Sequence, residues 1–414
     1  MELPGKRELR EQILHQMDGR TSYVSDKDVY REIDKAILRS SHGGYGTLSE
    51  KEELRRQMFY SIRGFDVLEK YLGDSSISEI MVIGASRIFV EQNGKIRRIE
   101  EHFSEEGDVY RLIEQIVAPT NRMVNEACPI VDSRLPDGSR VHIVLPPVSL
   151  EGPVITIRKF LKGGMTIEKL LAFEEFPEKL TGILSALVKS RYNILISGAT
   201  NSGKSSLLNA LAEYIGKREV ITIEDSAELQ LFHVENLVRL ETRNANMEGE
   251  NEITMQDLIK ASLRMRPDRI IVGEVRGAEA MSMLQALSTG HSGSVSSIHA
   301  NSCRDALRRL ETMVLMGMDM PLAAIQGLIA SSVDILIHLG RLTTGKRKIL
   351  EICEIKDYSR AEYDIRTLFQ YKAGQTESLE MTGKLFHTEK LKSYGQYENY
   401  CEAVRLFCEE KREG

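Results

Sequence analysis

Residues Gly198 to Ser205 read Gly-Ala-Thr-Asn-Ser-Gly-Lys-Ser and follow directly on the apolar run Tyr192-Asn193-Ile194-Leu195-Ile196-Ser197. This is G-x-x-x-x-G-K-S between a strand-like run and a helical one. It commits the chain to a strand–loop–helix unit, and hence to an α/β sheet. Backbone N–H groups of such a loop, with the positive end of the helix behind them, form a cradle for phosphate. Glycine at 198 and 203 permits the close approach and positive φ that a Cβ would block. The pattern implies that Gly198, Ala199, Thr200, Asn201, Ser202, Gly203, Lys204, Ser205 and Ser206 bind ATP. Lys204 would reach the β- and γ-phosphates, and Ser205 would offer its hydroxyl to Mg2+. Beyond the loop, Leu207, Leu208, Leu211 and Ile215 share one helical face, and Gly216 fits a C-terminal cap.

The rest of the chain supports a sheet of this kind. Residues 176 to about 340 alternate short strand-like runs with helical stretches, as in a mainly parallel sheet covered by helices. Val220-Ile221-Thr222-Ile223 runs into Glu224-Asp225, Arg269-Ile270-Ile271-Val272-Gly273 into Glu274, and Ser294 to Ile298 into His299. Ligands of such sheets sit beyond the carboxyl ends of the strands. Glu224, Asp225, Glu274 and His299 are therefore expected near Lys204. Hydrolysis needs an oriented water and oxygen ligands around magnesium, which these carboxylates supply. Gly290-His291-Ser292-Gly293 precedes the last of these strands, and His291 joins His299 as a candidate for phosphate contact.

The 414 residues are enough for two domains or three. We expect a charged helical extension over 1–65, an α+β domain over 66–161 and a linker over 162–175. A RecA-like ATPase domain over 176–372 and a tail over 373–414 follow. In the extension, Ser49 to Ile62 reads as a helix opened by a Ser49/Glu52 capping box, and 40–46 as a flexible joint. In the α+β domain, Ile80–Ile83, Arg87–Glu91, Arg140–Leu145 and Val154–Phe160 read as strands, and Val109–Val117 as a helix. Asn93-Gly94 reads as a hairpin turn and Pro136-Asp137-Gly138 as another turn. Residues 347–355 read as a hairpin arm.

A net charge of −6 argues against a dedicated nucleic-acid binder. Five cysteines without C-x-x-C spacing point to reduced, buried thiols in the cytoplasm rather than a zinc ribbon. The opening residues show no apolar signal segment. Leu322 to Leu339 is interrupted by Gln326, Asp334 and His338 and reads as a helix followed by a buried strand, not a membrane span.

Together these pieces resemble the traffic ATPases of type II and type IV secretion. Residues 198–205 resemble the family's Walker A, and Ile223 to Leu229 its acidic box. Met265 to Gly277 resembles its Walker B ending in Gly-Glu, and Thr289 to Asn301 its His box. Ile77 to Val82, Asp132 to Arg140 and Thr156 to Phe160 are most similar to the CpaF branch, which serves tight-adherence (Flp-type) pilus assembly. The resemblance covers about 66–370. It implies a homo-hexamer on the inner face of the cell membrane, working with an inner-membrane platform protein, with no nucleic-acid partner. It also implies that Glu274 polarises water and that Glu224 and Asp225 support metal or water. His299 and His291 would link nucleotide state to domain position, and Arg140 and Arg158 would neutralise the γ-phosphate. The alternative is a RecA-like nucleic-acid translocase, which shares the loop and the sheet.

Overall fold

The structure is a computed structural model that describes residues 6–17, 25–39, 48–92, 94–120, 123–160, 163–216, 219–243, 245, 250–359, 362–372 and 378–409. The expected joint at 40–46, the first five residues, Asn93 of the hairpin turn and Lys162 of the linker lie outside them. The chain divides into two compact units, Met1–Lys162 and Gly163–Gly414.

The first unit opens with α1 (Lys6–Gln16), α2 (Asp26–Arg39) and α3 (Leu48–Arg63). Only the third was legible in the sequence, and it starts one residue early, so Ser49 lies inside its first turn rather than at its cap. The three helices are charged outside but share a small core of Leu9, Ile13, Val29, Ile33, Leu54, Met58 and Ile62. Each such burial is worth about 1.5–3 kcal/mol, enough to hold helices whose propensity alone is marginal.

After α4 (Glu69–Gly73) come β1 (Ile77–Ile83), β2 (Arg87–Gln92), β3 (Lys95–Arg98), α5 (Glu106–Val117), β4 (Ile130–Arg134), β5 (Arg140–Val144) and β6 (Val154–Arg158). The strands form an antiparallel sheet in the order β3-β2-β1-β6-β5-β4. β4 carries Asp132, Ser133 and Arg134 among its five residues and escaped the hydrophobic reading. Val131, Ile143, Ile155, Ile80, Ile88 and Val90 face α5, whose Val109, Leu112, Ile113 and Ile116 complete the core.

The second unit contains α6 (Ile167–Ala172), α7 (Leu180–Lys189), β7 (Ile194–Gly198), α8 (Lys204–Leu211), β8 (Glu219–Glu224), β9 (Asn236–Glu241), α9 (Met255–Ser262), β10 (Arg269–Val275), α10 (Glu279–Ser288) and β11 (Val295–Ile298). It continues with α11 (Cys303–Gly317), α12 (Leu322–Ser332), β12 (Ile335–Arg341), β13 (Arg347–Ser359), β14 (Glu362–Lys372), β15 (Ser378–Met381), α13 (Glu389–Ser393) and α14 (Tyr397–Glu409). One nine-stranded sheet runs β15-β14-β13-β12-β7-β11-β10-β8-β9. It is parallel from β12 to β9 and antiparallel from β12 to β15.

Both faces are covered, which is why β7 reads as an unbroken apolar run. Ile194 and Ile196 face a layer with α7, α8 and α14, while Leu195 faces α10, α11 and α12. Leu322 to Leu339 is indeed a helix, α12, followed by a buried strand, β12. No described helix is long and apolar enough to cross a membrane. Within the described part of the polar tail, Leu379, Leu391, Tyr400 and Ala403 bury in the same core as Leu180 and Leu184.

Candidate nucleotide site

β7 ends at Gly198, and the chain turns through Ala199–Gly203 into α8. A Cβ at Gly198 would fall 2.4 Å from Ser202 Oγ and 2.6 Å from the Leu339 carbonyl oxygen, so only glycine fits there. Gly203 caps α8 with φ +102°, and Asn201 also takes a left-handed conformation. The loop thereby folds over the start of α8, whose first N–H groups have no partner inside the helix. Ser205 and Ser206 stand half-buried in that first turn, and Ser202 is buried. Helix-start N–H groups under a glycine loop are a donor set that suits a phosphate group. Thr200 and Asn201 stand exposed at the loop's tip, and the Asn201 carbonyl accepts a 3.0 Å hydrogen bond from Arg347 Nε.

Lys204 is buried, and its Nζ donates to the carbonyls of Gly198 (3.1 Å) and Ala199 (3.0 Å). Its third partner is His299 Nδ1 at 3.2 Å. Burial lowers the lysine's affinity for its proton, with Glu274 pulling the other way.

β11 delivers His299 beside the loop because Ile298 pairs with Ser197 of β7. His299 Nε2 in turn lies 2.6 Å from Glu274 Oε1. Burial lowers the histidine's pKa, Lys204 and Arg276 lower it further, and Glu274 opposes them. A neutral ring suits its position, with Nδ1 accepting from Lys204 and Nε2 set beside Glu274. The other Glu274 oxygen accepts from Arg276 Nε (2.8 Å) and Nη2 (2.6 Å). Arg276 Nη1 reaches Asp225 at 3.8 Å. Lys204, His299, Glu274, Arg276 and Asp225 thus form one continuous polar row along the carboxyl edge of the sheet.

Glu224 is held differently. Its Oε2 accepts the N–H groups of Glu228 (2.7 Å) and Leu229 (3.0 Å), and Oε1 is buried without a hydrogen-bond partner. Burial pushes its pKa up to about 7, against those two N–H donors. One of its two carboxylate oxygens is thus engaged by its own following loop.

His291 is not brought to the loop. It precedes β11 at the amino edge of the sheet, and its Nδ1 lies 3.3 Å from the Ala286 carbonyl oxygen. The four residues of β11 set it about 13 Å of strand away from the His299 edge. The Gly290–Gly293 turn has a structural use of its own: Asn193 Oδ1 accepts the Gly293 N–H at 2.8 Å, clamping β11 onto β7.

Arg140 and Arg158 belong to the first unit. They are cross-strand neighbours on β5 and β6, flanked by Arg134 and Glu79 in the same row.

Residues 62–391 match the family described as "Type II/IV secretion system protein". The chain belongs to this family.

The secretion-family relatives include the conjugal transfer protein TrbB of Rhizobium radiobacter, 32% identical over 70% of this chain and 88% of that protein. The type IV secretion system protein PtlH of Bordetella pertussis is 30% identical over 69% of this chain and 92% of its own length. Among solved structures, the pilus retraction motor PilT with bound ADP superposes with a TM-score of 0.51 at 17% identity, covering 83% of this chain and 88% of that one. That likeness speaks to the fold alone, which is RecA-like α/β.

Sequence reasoning on this secretion-family chain overlooked Arg276, although it sits two residues after Glu274, just past the end of β10. It also overlooked Glu175 and Arg347, which close on the loop from outside the motif. A Cβ built at Gly203 would lie 3.4 Å from Arg347 Cδ and 3.5 Å from Glu175 Oε2. Glu175 is buried, with its pKa pushed up to about 7 by desolvation. No local pattern announces either residue, because β13 and the α6–α7 turn reach the loop only in three dimensions.

Proposed function

We propose that this secretion-family protein is an ATP hydrolase that works as a cytoplasmic hexameric motor. It would drive assembly of a Flp/Tad-type pilus, or protein secretion, from the inner face of the cell membrane, engaging an inner-membrane platform protein. The observation that carries the reading is the continuous chain Lys204–His299–Glu274–Arg276–Asp225 beside a phosphate loop. Bound ATP and magnesium would supply the reacting phosphoryl group and its charge-neutralising ion. Gly198 to Ser206 would hold the phosphates and the Ser205 hydroxyl would take the metal, with Glu224 as a supporting acid. Glu274 orients the attacking water, and Asp225 holds Arg276 against it. His299 reports between Lys204 and Glu274, so a change at the phosphate is felt at the water-orienting acid. Arg140 and Arg158 are assigned to neutralise charge building on the γ-phosphate.

A RecA-like nucleic-acid translocase is the second reading, in keeping with the likeness to a conjugal transfer protein of Rhizobium radiobacter. Steady-state ATP hydrolysis, with and without single- or double-stranded DNA at low and moderate salt, separates the two. Slow turnover indifferent to DNA supports the pilus or secretion motor. Strong stimulation that falls steeply with salt makes the protein a nucleic-acid translocase.

A further inference from the structure

We propose that Cys303, Cys353 and Glu351 form a binding site for a soft divalent cation, Zn2+ in the first place. Their ligand atoms all lie within 4.8 Å of one another, and both cysteines are buried. The absence of C-x-x-C spacing hid the cluster, because the two cysteines are far apart in the chain. Cys353 and Glu351 are two apart on β13 and so share a face, the one covered by α11. Cys303 is the first residue of α11 and drops onto that face.

The chemistry suits zinc. Two thiolates and a carboxylate are a donor set that prefers a borderline-soft ion, and a fourth position is left for water or a further donor. Three anionic ligands against a divalent cation leave one negative charge. The positive end of the fifteen-residue α11, on which Cys303 sits, offsets part of it. The supporting shell is present too. The Cys303 N–H donates to Glu351 Oε2 at 3.3 Å. The Thr367 hydroxyl lies 3.5 Å from Glu351 Oε1 and 3.6 Å from Cys353 Sγ, positioned to orient both ligands. His338 pairs in register with Glu351 on the neighbouring strand β12. Binding releases the two thiol protons to solvent and needs no oxidant. Because Cys303 follows His299 by four residues, the ion would fasten the turn after His299 to β13.

The test uses the full chain without an affinity tag, purified under reducing conditions. Elemental mass spectrometry is expected to find about one zinc per chain. Replacement by Co2+ is expected to give the thiolate-to-metal charge-transfer absorption of a tetrahedral site. Cys303→Ser and Cys353→Ser each lose both signals, and Glu351→Gln weakens zinc binding by about tenfold or more. The cobalt spectrum of the unaltered chain needs no variant to fold. Reduced, folded protein with neither zinc nor the cobalt band overturns the proposal. So does undiminished zinc in a folded Cys303→Ala/Cys353→Ala variant, or metal-free protein carrying a Cys303–Cys353 disulfide.

Discussion

The side chain of Glu224 lies against the backbone of Gly273: a Cβ built on that glycine would fall 2.8 Å from Glu224 Cγ. The glycine before Glu274 is therefore a steric requirement of the acid at the end of the next strand, since β8 and β10 are adjacent. Gly273→Ala must displace Glu224, Glu274 or both. The expected cost is about 1–3 kcal/mol of stability, together with a loss of turnover. Thermal unfolding and ATPase assays on the same preparation check it, and unchanged values in both would remove the steric account.

Lys204 and Glu274 are expected to separate binding from chemistry. Lys204→Ala should abolish nucleotide binding, because the only ammonium in the loop is gone. Glu274→Gln keeps the shape and the Arg276 contact but loses the charge. It should bind ATP normally and hydrolyse it about 100-fold more slowly or worse. Normal turnover by Glu274→Gln would sink its role.

His299 should behave as a neutral relay. His299→Gln retains a donor and an acceptor and should keep part of the activity, whereas His299→Ala breaks the link between Lys204 and Glu274. Nucleotide affinity should change little in either, and kcat should fall in the order wild type, Gln, Ala. Because its pKa is lowered from the ordinary 6.5, this residue should impose no pH dependence on turnover above that value. A pH–rate profile of the wild type and His299→Gln tests this.

Two buried acids should make stability depend on pH. Glu175 and Glu224 are each raised from 4.5 to about 7 in the folded protein. Between those values the native state holds more protons than the unfolded chain, so stability falls as pH rises through the window. Below 4.5 both states are protonated and the penalty vanishes. Glu175→Gln and Glu224→Gln should therefore melt higher than wild type at pH 8 and level with it near pH 4. Equal melting temperatures at pH 8 would show that these sites are better solvated than their burial indicates.

What the amino-acid order determined by itself was local. G-x-x-x-x-G-K-S between an apolar run and an amphipathic one specifies strand, loop and helix, because hydrogen bonding, φ preference and burial all act within a few residues there. The mostly apolar runs at 194–196, 220–223 and 270–272 likewise announce strands buried on both faces, and the acids and histidine that end such strands follow from the parallel sheet. The tertiary structure decided the rest, because a side chain's direction depends on neighbours that are distant in sequence. It turned Glu224 into its own following loop, put His291 at the opposite edge from His299 and drew Arg276 onto Glu274. It packed Glu175 and Arg347 against Gly203, and it brought Cys303 to Cys353. The helices α1 and α2 were illegible for the same reason: their short apolar stripes gain meaning only from one another.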